Sequence, residues 1–316
     1  MEYNLLGNTG IKVSKICFGG LTVGPLQKKM SFKEGGEVIL EAFNNGINFI
    51  DTAELYKTYG HIKYALDNFK RENVVISTKS YAYDRAGAEK ALMDALKELN
   101  TDYIDVFMMH EQESEHTIRG HYEALEYYMT MKEKGYIRSV GLSTHCVNGV
   151  LGAMKYPEIE VIHPIINKNG LGIQDGTLDE MISATKSFRK QGGGVFAMKP
   201  LGGGNLISSI DECFEFILNQ DYIDSFAIGM QSVDEVQDNI NRILGVKSPE
   251  DLKSRLINSN RVLNIDEWCI ACGECVKHCS HGALKIKDDK LLVDRNKCVL
   301  CGYCSSYCKE FAIKII

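Results

Sequence analysis

The sequence of 316 residues has no excess of positive charge, with 36 lysine and arginine residues against 42 aspartate and glutamate residues. Proteins that bind nucleic acid through its phosphates usually present a basic surface, which this composition does not supply. We therefore expect no nucleic-acid partner. Hydrophobic residues make up 44% and charged residues 25% of the chain, values typical of a globular protein.

Long apolar runs are also missing. No stretch of the chain reaches the ~18 apolar residues that a membrane-spanning helix needs, so we expect no membrane partner. The opening sequence MEYNLLGNTGIKVS lacks the basic and apolar segments of a signal peptide. We therefore expect a cytoplasmic protein. The cytoplasm is reducing, and this favours cysteines that bind metal over cysteines that form disulfides.

Cysteine is scarce in most of the chain. Of the 11 cysteines, eight lie in the last 48 residues, and only Cys17, Cys146 and Cys213 precede them. We expect these three to be small apolar residues. The uneven distribution predicts two domains, a large one at residues 1–264 and a small cysteine-rich one at residues 265–316.

The large domain contains eight short apolar runs, separated by amphipathic segments such as residues 88–100. This alternation is typical of repeated βα units with a parallel sheet. Eight units in about 230 residues favour a (β/α)8 TIM barrel over a doubly wound sheet, and no G-x-G-x-x-G motif follows any run. The segment EYNLLGNTGIKVS predicts a hairpin that closes one end of the barrel. The predicted strands cover residues 16–20, 47–53, 74–79, 103–110, 139–144, 161–167, 194–200 and 225–230.

The small domain contains an internal duplication, because the spacing C-x2-C-x2-C-x3-C occurs twice at an offset of 29 residues. The segments CSHGALKI and CKEFAIKI, which end the two halves, are also alike. Zinc is an alternative metal for these cysteines, although zinc sites use paired C-x2-C units with longer separations. A disulfide framework is a second alternative, which a reducing compartment disfavours. The repeated cysteines are Cys269, Cys272, Cys275, Cys279, Cys298, Cys301, Cys304 and Cys308.

This domain resembles bacterial ferredoxins that hold two 4Fe-4S clusters, over about 50 residues. The resemblance implies that the fourth cysteine of each half binds the cluster of the other half. One cluster then takes Cys269, Cys272, Cys275 and Cys308, and the other takes Cys279, Cys298, Cys301 and Cys304. Ser280 and Lys309 replace the proline that usually follows the fourth cysteine. The eight basic and seven acidic residues after residue 265 differ from the acidic surface of free carriers, although a tethered electron relay stays open.

Four polar residues lie at or near the C-terminal ends of three consecutive predicted strands, where TIM barrels carry their active sites. They are Asp51 in INFIDTAELY, Tyr56 in the same motif, Lys79 in VVISTKS and His110 in DVFMMHE. Each alone has an ordinary structural explanation. Together, in this order, they resemble the motif set of the aldo-keto reductase superfamily over roughly residues 1–245.

The resemblance implies reduction of an aldehyde or ketone by hydride from NADP or NAD. Tyr56 would protonate the carbonyl oxygen, and His110 would hydrogen-bond it. The Lys79 ammonium is expected to lower the pKa of Tyr56, while Asp51 holds Lys79 charged and oriented.

The resemblance also implies a set of cofactor contacts. Thr144, His163 and Met198 stand where many relatives have asparagine, glutamine and an aromatic residue. Gly229 and Glu235 stand where relatives usually have basic residues that bind the 2′-phosphate of NADP. The cofactor can therefore be either NAD or NADP. The glycine-rich loop KPLGGGN is expected near the phosphates. The predicted contacts are Ser143, Thr144, His163, Met198, Lys199, Leu201, Gly203, Gly229, Ser232, Glu235 and Asn239.

Three hypotheses about function follow. The first is an NAD(P)H-dependent carbonyl reductase with the cluster domain as an accessory. The second is an electron-transfer protein, in which the clusters exchange electrons with a redox partner such as a ferredoxin or flavoprotein and the barrel binds nicotinamide. The third is a structural role for the cluster domain as a cover over the substrate. Direct coupling between clusters and nicotinamide normally needs a flavin or a radical intermediate, and the sequence has no flavin signature.

Overall fold

The computed structural model of the protein describes residues 1–257 and 261–316. The chain begins with an antiparallel hairpin of β1 (Tyr3–Leu5) and β2 (Lys12–Ser14). Gly7 and Gly10, in the turn, have positive φ angles of 54° and 73°, which glycine adopts without steric cost. The turn bonds to residues that precede two barrel strands, Gly192 and Asp224. The hairpin therefore closes the N-terminal end of the barrel, as predicted.

The large domain is a closed barrel of eight parallel strands in chain order, with the last strand pairing with the first. This confirms the predicted (β/α)8 fold and excludes the doubly wound sheet. Inside the barrel, apolar side chains from the strands pack on Leu6, Ile11 and Val13 of the hairpin region. The barrel strands are β3 (Ile16–Gly19), β4 (Phe49–Asp51), β5 (Val75–Ser80), β6 (Ile104–Met109), β7 (Ile137–Thr144), β8 (Val161–Pro164), β9 (Gly194–Met198) and β10 (Ser225–Gly229).

Helices surround the barrel and bury one apolar face each. The helix predicted at 88–100 begins three residues earlier, because Asp84 caps it by accepting the N–H of Gly87. Within the two described segments, no helix is long and apolar enough to cross a membrane. The helices are α1 (Phe32–Asn44), α2 (Tyr59–Leu66), α3 (Arg85–Leu99), α4 (Glu115–Gly120), α5 (Tyr122–Glu133), α6 (Val147–Ala153), α7 (Leu178–Lys190), α8 (Ile210–Leu218), α9 (Val233–Ile243) and α10 (Glu250–Ile257).

The small domain repeats one backbone pattern twice. Ala271 and Leu300, 29 residues apart, are both left-handed, and so are Gly273 and Gly302. Two antiparallel strand pairs frame the cysteine loops, and the first strand, β11, spans the predicted domain boundary after residue 264. The elements are β11 (Leu263–Ile265), α11 (Glu274–Lys277), β12 (Leu284–Lys287), β13 (Lys290–Val293) and β14 (Ile313–Ile315), with β11 paired to β14 and β12 to β13.

The small domain rests on the loop that follows β9. The Asn205 side chain donates to the Ile313 carbonyl at 3.0 Å. A methyl group on Gly204 would overlap the Ile315 carbonyl oxygen, and one on Gly302 would overlap the backbone of Asn205. Glycines on both sides thus let the two backbones approach closely. The C-terminal strand β14 is thereby held at the C-terminal end of the barrel.

Candidate active site

A buried ion pair lies at the C-terminal ends of β4 and β5. Asp51 pairs with Ser77 in the strand register, and Lys79 lies two residues further along, on the same face of the sheet. The Lys79 Nζ is 2.7 Å from Asp51 Oδ2 and donates to the Thr52 carbonyl at 2.7 Å. Burial alone would raise the pKa of Asp51, but Lys79 and His163 outweigh this and hold that pKa below its usual range. Asp51 is therefore ionised at neutral pH.

Tyr56 and His110 complete the cluster of four predicted catalytic residues. The Lys79 Nζ lies 5.0 Å from the centroid of the Tyr56 ring. The Tyr56 ring meets the His110 ring edge to face, with 5.7 Å between centroids. Tyr81 stacks on His110 at 4.3 Å and donates a hydrogen bond to Glu111. His110 is only 3% exposed under this ring, so Tyr81 covers one face of the imidazole.

The pKa values of Tyr56 and His110 are both shifted, and the shift of Tyr56 differs from the expectation. Burial raises the pKa of Tyr56 well above its usual value, and the Asp51 and Glu111 carboxylates add to the increase. The expected lowering of the Tyr56 pKa by Lys79 is therefore wrong. Burial, assisted by Lys79, lowers the pKa of His110 well below its usual value, so His110 is neutral. Its Nδ1 is buried, with no hydrogen-bond partner within residues 1–257 and 261–316.

A cavity of about 630 Å³ opens beside Asp51 and Tyr56 at the C-terminal ends of the strands. This volume is typical of cofactor and substrate sites. His163 lines this cavity, and both of its ring nitrogens have protein partners. Its Nδ1 lies 2.6 Å from the Phe196 carbonyl oxygen, and its Nε2 lies 3.5 Å from Asp51 Oδ2. Eight of the eleven predicted cofactor contacts line the cavity: His163, Met198, Lys199, Leu201, Gly203, Gly229, Glu235 and Asn239.

The remaining three, Ser143, Thr144 and Ser232, do not line this cavity, and their contact with the cofactor stays a prediction. The Ser143 hydroxyl accepts a backbone N–H from the loop after β6. The Thr144 hydroxyl bonds both the N–H and the C=O of Cys146. Ser232 caps α9 by accepting the N–H of Glu235 at 3.1 Å. All three hydroxyls therefore serve the local backbone.

Basic side chains line the far end of the cavity, although the local motif predicts none. Arg261 forms an ion pair with Glu235 at 3.0 Å, and Arg242 with Asp238 at 2.8 Å. Lys253 also lines this end and lies 3.4 Å from Glu250. Sequence reasoning missed Arg261 because it is 26 residues away from Glu235 along the chain.

The small domain also contributes to the cavity, through Lys314, Ile315 and Ile316. Lys314 is 3% exposed, donates to the Phe311 carbonyl and lies 3.5 Å from Asp266 Oδ2. The glycine-rich loop after β9 contacts this lysine, and its place near the phosphates stays a prediction. Gly203 lines the cavity, but a side chain there would collide with that of Lys314, so this loop supports the small domain as well as the cavity.

The eight repeated cysteines form two groups around two smaller cavities. Cys269, Cys272, Cys275 and Cys308 line one cavity, and Cys279, Cys298, Cys301 and Cys304 line the other. These are the two sets that the ferredoxin resemblance implies. In the described part of the chain, no three His, Cys, Asp or Glu side chains converge on a site for a single metal ion.

Backbone amides point at the fourth cysteine of each half. The N–H of Ala283 donates to Cys279 Sγ, and the N–H of Ala312 donates to Cys308 Sγ, both at 3.3 Å. Such donors favour a thiolate over a thiol. The expectation for the other three cysteines is confirmed, because Cys17, Cys146 and Cys213 are all buried.

Comparison with known proteins gives two family matches. Residues 15–212 match the profile of the aldo/keto reductase family, and residues 291–314 match that of a 4Fe-4S binding domain. The first match covers well over half of the chain.

Individual relatives are distant. The chain is 23% identical over 290 residues to L-galactose dehydrogenase of Arabidopsis thaliana, covering 78% of this chain and 90% of that protein. It is 28% identical over 172 residues to methylglyoxal reductase DkgA of Escherichia coli K12, covering 51% and 61%. The holo structure of an aldo-keto reductase from Bacillus halodurans superposes with a TM-score of 0.64 at 20% identity, covering 81% and 95%. A structural likeness at this identity shows the fold alone.

Proposed function

The chain belongs to the aldo/keto reductase family, and we propose that it is an NAD(P)H-dependent carbonyl reductase with Tyr56 as its proton donor. The observation that carries this proposal is the cluster of Tyr56, Lys79, Asp51 and His110 beside one cavity. Oxidoreductase chemistry and a 4Fe-4S binding motif follow from the family matches. The substrate is a small aldehyde or ketone.

The proton donor acts from a protonated state. Because its pKa is raised, Tyr56 carries its proton at neutral pH and can transfer it from Oη to the carbonyl oxygen. The Lys79 ammonium, 5.0 Å from the ring centroid, stabilises negative charge that develops on the phenol oxygen. Asp51 orients Lys79 through their 2.7 Å contact. Neutral His110 donates a hydrogen bond to the same carbonyl oxygen.

The cavity fits a nicotinamide dinucleotide in size and in lining. The cofactor supplies the hydride when bound. Met198 would contact its nicotinamide end, and Asn239 and Glu235 its adenosine end. Glu235 forms an ion pair with Arg261. This ion pair would distinguish NAD from NADP.

The small domain fits two 4Fe-4S clusters, since eight cysteines surround two cavities in sets of four. Each cluster supplies one-electron chemistry. In this proposal residues 1–264 hold the reductase site, and residues 265–316 hold the clusters and cover one side of the cavity.

A second candidate is electron transfer between a redox partner protein and a nicotinamide bound in the barrel. It is favoured by the exposure of Cys272 and Cys301 on the surface, together with Lys314 of the same domain in the cavity wall. Anaerobic titration with NADH and NADPH, followed by cluster bleaching and EPR, tests this candidate. Bleaching supports direct coupling, whereas binding without bleaching supports the accessory role.

The reductase proposal is tested with Tyr56→Phe. We expect kcat for carbonyl reduction to fall about 10²–10⁴-fold, with dinucleotide binding retained. Tyr59→Phe is the matched control, because the Tyr59 hydroxyl bonds Thr78 at 2.8 Å inside the barrel wall and has no catalytic part. Equal activity of the two variants would refute the role of Tyr56.

A further inference from the structure

The two halves of the small domain differ where the second half meets the barrel. Gly282 and Phe311 are equivalent in the repeat and both have positive φ angles, of 56° and 48°. A left-handed backbone is unfavourable for a bulky side chain such as phenylalanine. A side chain on Gly282 would meet open space, whereas Phe311 is 1% exposed and contacts the barrel side chains of His145 and Lys199. The second half thus holds a strained aromatic residue against the barrel.

Two ammonium groups lie against this aromatic ring. The Nζ of Lys314 is 3.7 Å and the Nζ of Lys199 is 4.8 Å from the Phe311 centroid. Lys314 comes from the small domain and Lys199 from the end of β9, and both line the cavity that contains Tyr56. In the repeat, the equivalent of Lys314 is Lys285, which is exposed.

The positive charge here is incompletely balanced. The carboxylate of Asp266 lies 3.5 Å from Lys314, but no carboxylate among the described residues lies within 4 Å of Lys199. The Lys199 Nζ instead donates to His145 Nε2 at 2.8 Å, and burial, with repulsion from the two lysines, lowers the pKa of His145 so that it stays neutral. A buried ammonium without a counter-charge is costly. A ligand that brings an anionic group into the cavity would remove this cost.

We propose that Lys199 and Lys314 form an oxyanion-binding subsite shared by the barrel and the small domain. The inference rests on the proposed function and deepens it, because the subsite selects ligands that carry a carboxylate or a phosphate. The oxyanion is either a carboxylate on the carbonyl substrate or the diphosphate of the dinucleotide. Lys314 thereby gives the small domain a direct part in ligand binding.

The test is anaerobic calorimetry on the protein with its clusters intact. Inorganic pyrophosphate represents the diphosphate, 2-oxobutyrate represents a carbonyl substrate with a carboxylate, and 2-butanone is its neutral counterpart. Lys314→Met should weaken binding of the anion by about ten- to a hundredfold, the usual effect of losing a charged hydrogen bond. Lys285→Met, at the equivalent exposed position, should leave it unchanged. A loss confined to 2-oxobutyrate identifies a substrate carboxylate, and a loss confined to pyrophosphate identifies the dinucleotide.

The subsite would be overturned if the Lys314→Met and Lys285→Met proteins bound both anions with equal affinity. It would also be overturned if Lys314→Met weakened the binding of 2-butanone as much as the binding of 2-oxobutyrate. Lys314→Arg, which keeps the charge, should restore most of the binding and thereby separates charge from misfolding. Because binding is measured without turnover, anion binding can succeed while carbonyl reduction fails. The subsite and the reductase proposal are thus tested separately.

Discussion

Gly204 lies directly beneath the carbonyl of Ile315, so that any side chain at residue 204 would overlap that oxygen. We expect Gly204→Ala to loosen β14 from the barrel, because the overlap is with backbone that cannot rotate away. Hydrogen exchange at residues 311–316 should become faster, with little change in the barrel strands.

Gly245→Ala is the matched control for this substitution. Gly245 also has a positive φ, 67° against 85° for Gly204, but a side chain there would meet nothing within 4 Å. Both variants bear the backbone strain of a left-handed alanine, and only one bears the overlap. Equal exchange at residues 311–316 in the two variants would contradict the contact.

Lys79→Met should destabilise the protein at neutral pH by about 3–5 kcal/mol, because it leaves the Asp51 carboxylate buried without its partner. The measurement is urea-induced unfolding. The double variant Asp51→Asn with Lys79→Met should recover part of the loss, because the buried charge is then gone. Lys63→Met, which breaks an exposed ion pair to Asp67, should have little effect. A loss as small as that of Lys63→Met would contradict the account of the buried pair.

The same ion pair has a pH dependence of defined sign. The folded pKa of Asp51 is lower than its unfolded value of ~3.9. The pair therefore stabilises the folded state fully above that unfolded value, and this stabilisation is lost as the pH falls below about 4.

Cys308→Ala should remove the cluster of the first cysteine set. Iron content should fall from about eight to about four atoms per chain. The cluster that remains in Cys308→Ala should give the same EPR signal as the one that remains in Cys269→Ala, and a different signal from Cys298→Ala. The reason is that the fourth cysteine of each half binds the cluster of the other half. Cys213→Ala, a buried cysteine on α8, should keep all the iron. A match between Cys308→Ala and Cys298→Ala would show uncrossed ligation instead.

Binding of 2-oxobutyrate should weaken as the pH rises from 6 to 8. Burial, and then repulsion by Lys314, lowers the pKa of Lys199 to about 7, and only the protonated amine attracts a carboxylate, which itself stays ionised over this range. The affinity should fall by up to about tenfold per pH unit above that pKa. Lys199→Met should remove most of the dependence and leave only the part due to Lys314, whose pKa burial lowers to about 8. A constant affinity in the unmodified protein would contradict the prediction. The charged or titratable groups around Lys199 are Lys314, Glu111, Asp266, Lys79 and His145.

Much of the fold is predictable because its determinants are local. Each barrel strand is a short apolar run with its own helix, and eight such units can close only in a few ways. Helix α3 begins three residues before its predicted start, because its cap is set by one hydrogen bond that the Asp84 side chain accepts from the N–H of Gly87. The repeat in the small domain is likewise visible in the sequence and in the left-handed residues Ala271 and Leu300.

The active-site residues could be predicted only in part. Asp51, Lys79 and His110 could be predicted because strand ends converge in a barrel. The pKa of Tyr56 could not, because it depends on burial and on Glu111, whose position the fold decides. Lys314 could not be predicted either, since nothing near it in the sequence shows that its half of the repeat faces the cavity while Lys285 faces solvent.

The central claim is hydride transfer from a nicotinamide bound in the barrel to a carbonyl carbon, with the clusters outside that step. The most direct measurement uses dinucleotide carrying deuterium at the transferable position, under anaerobic conditions, with mass spectrometry of the alcohol product. We predict one deuterium on the former carbonyl carbon in each product molecule. Reduction that yields product without deuterium would contradict the claim and would indicate that the electrons arrive through the clusters.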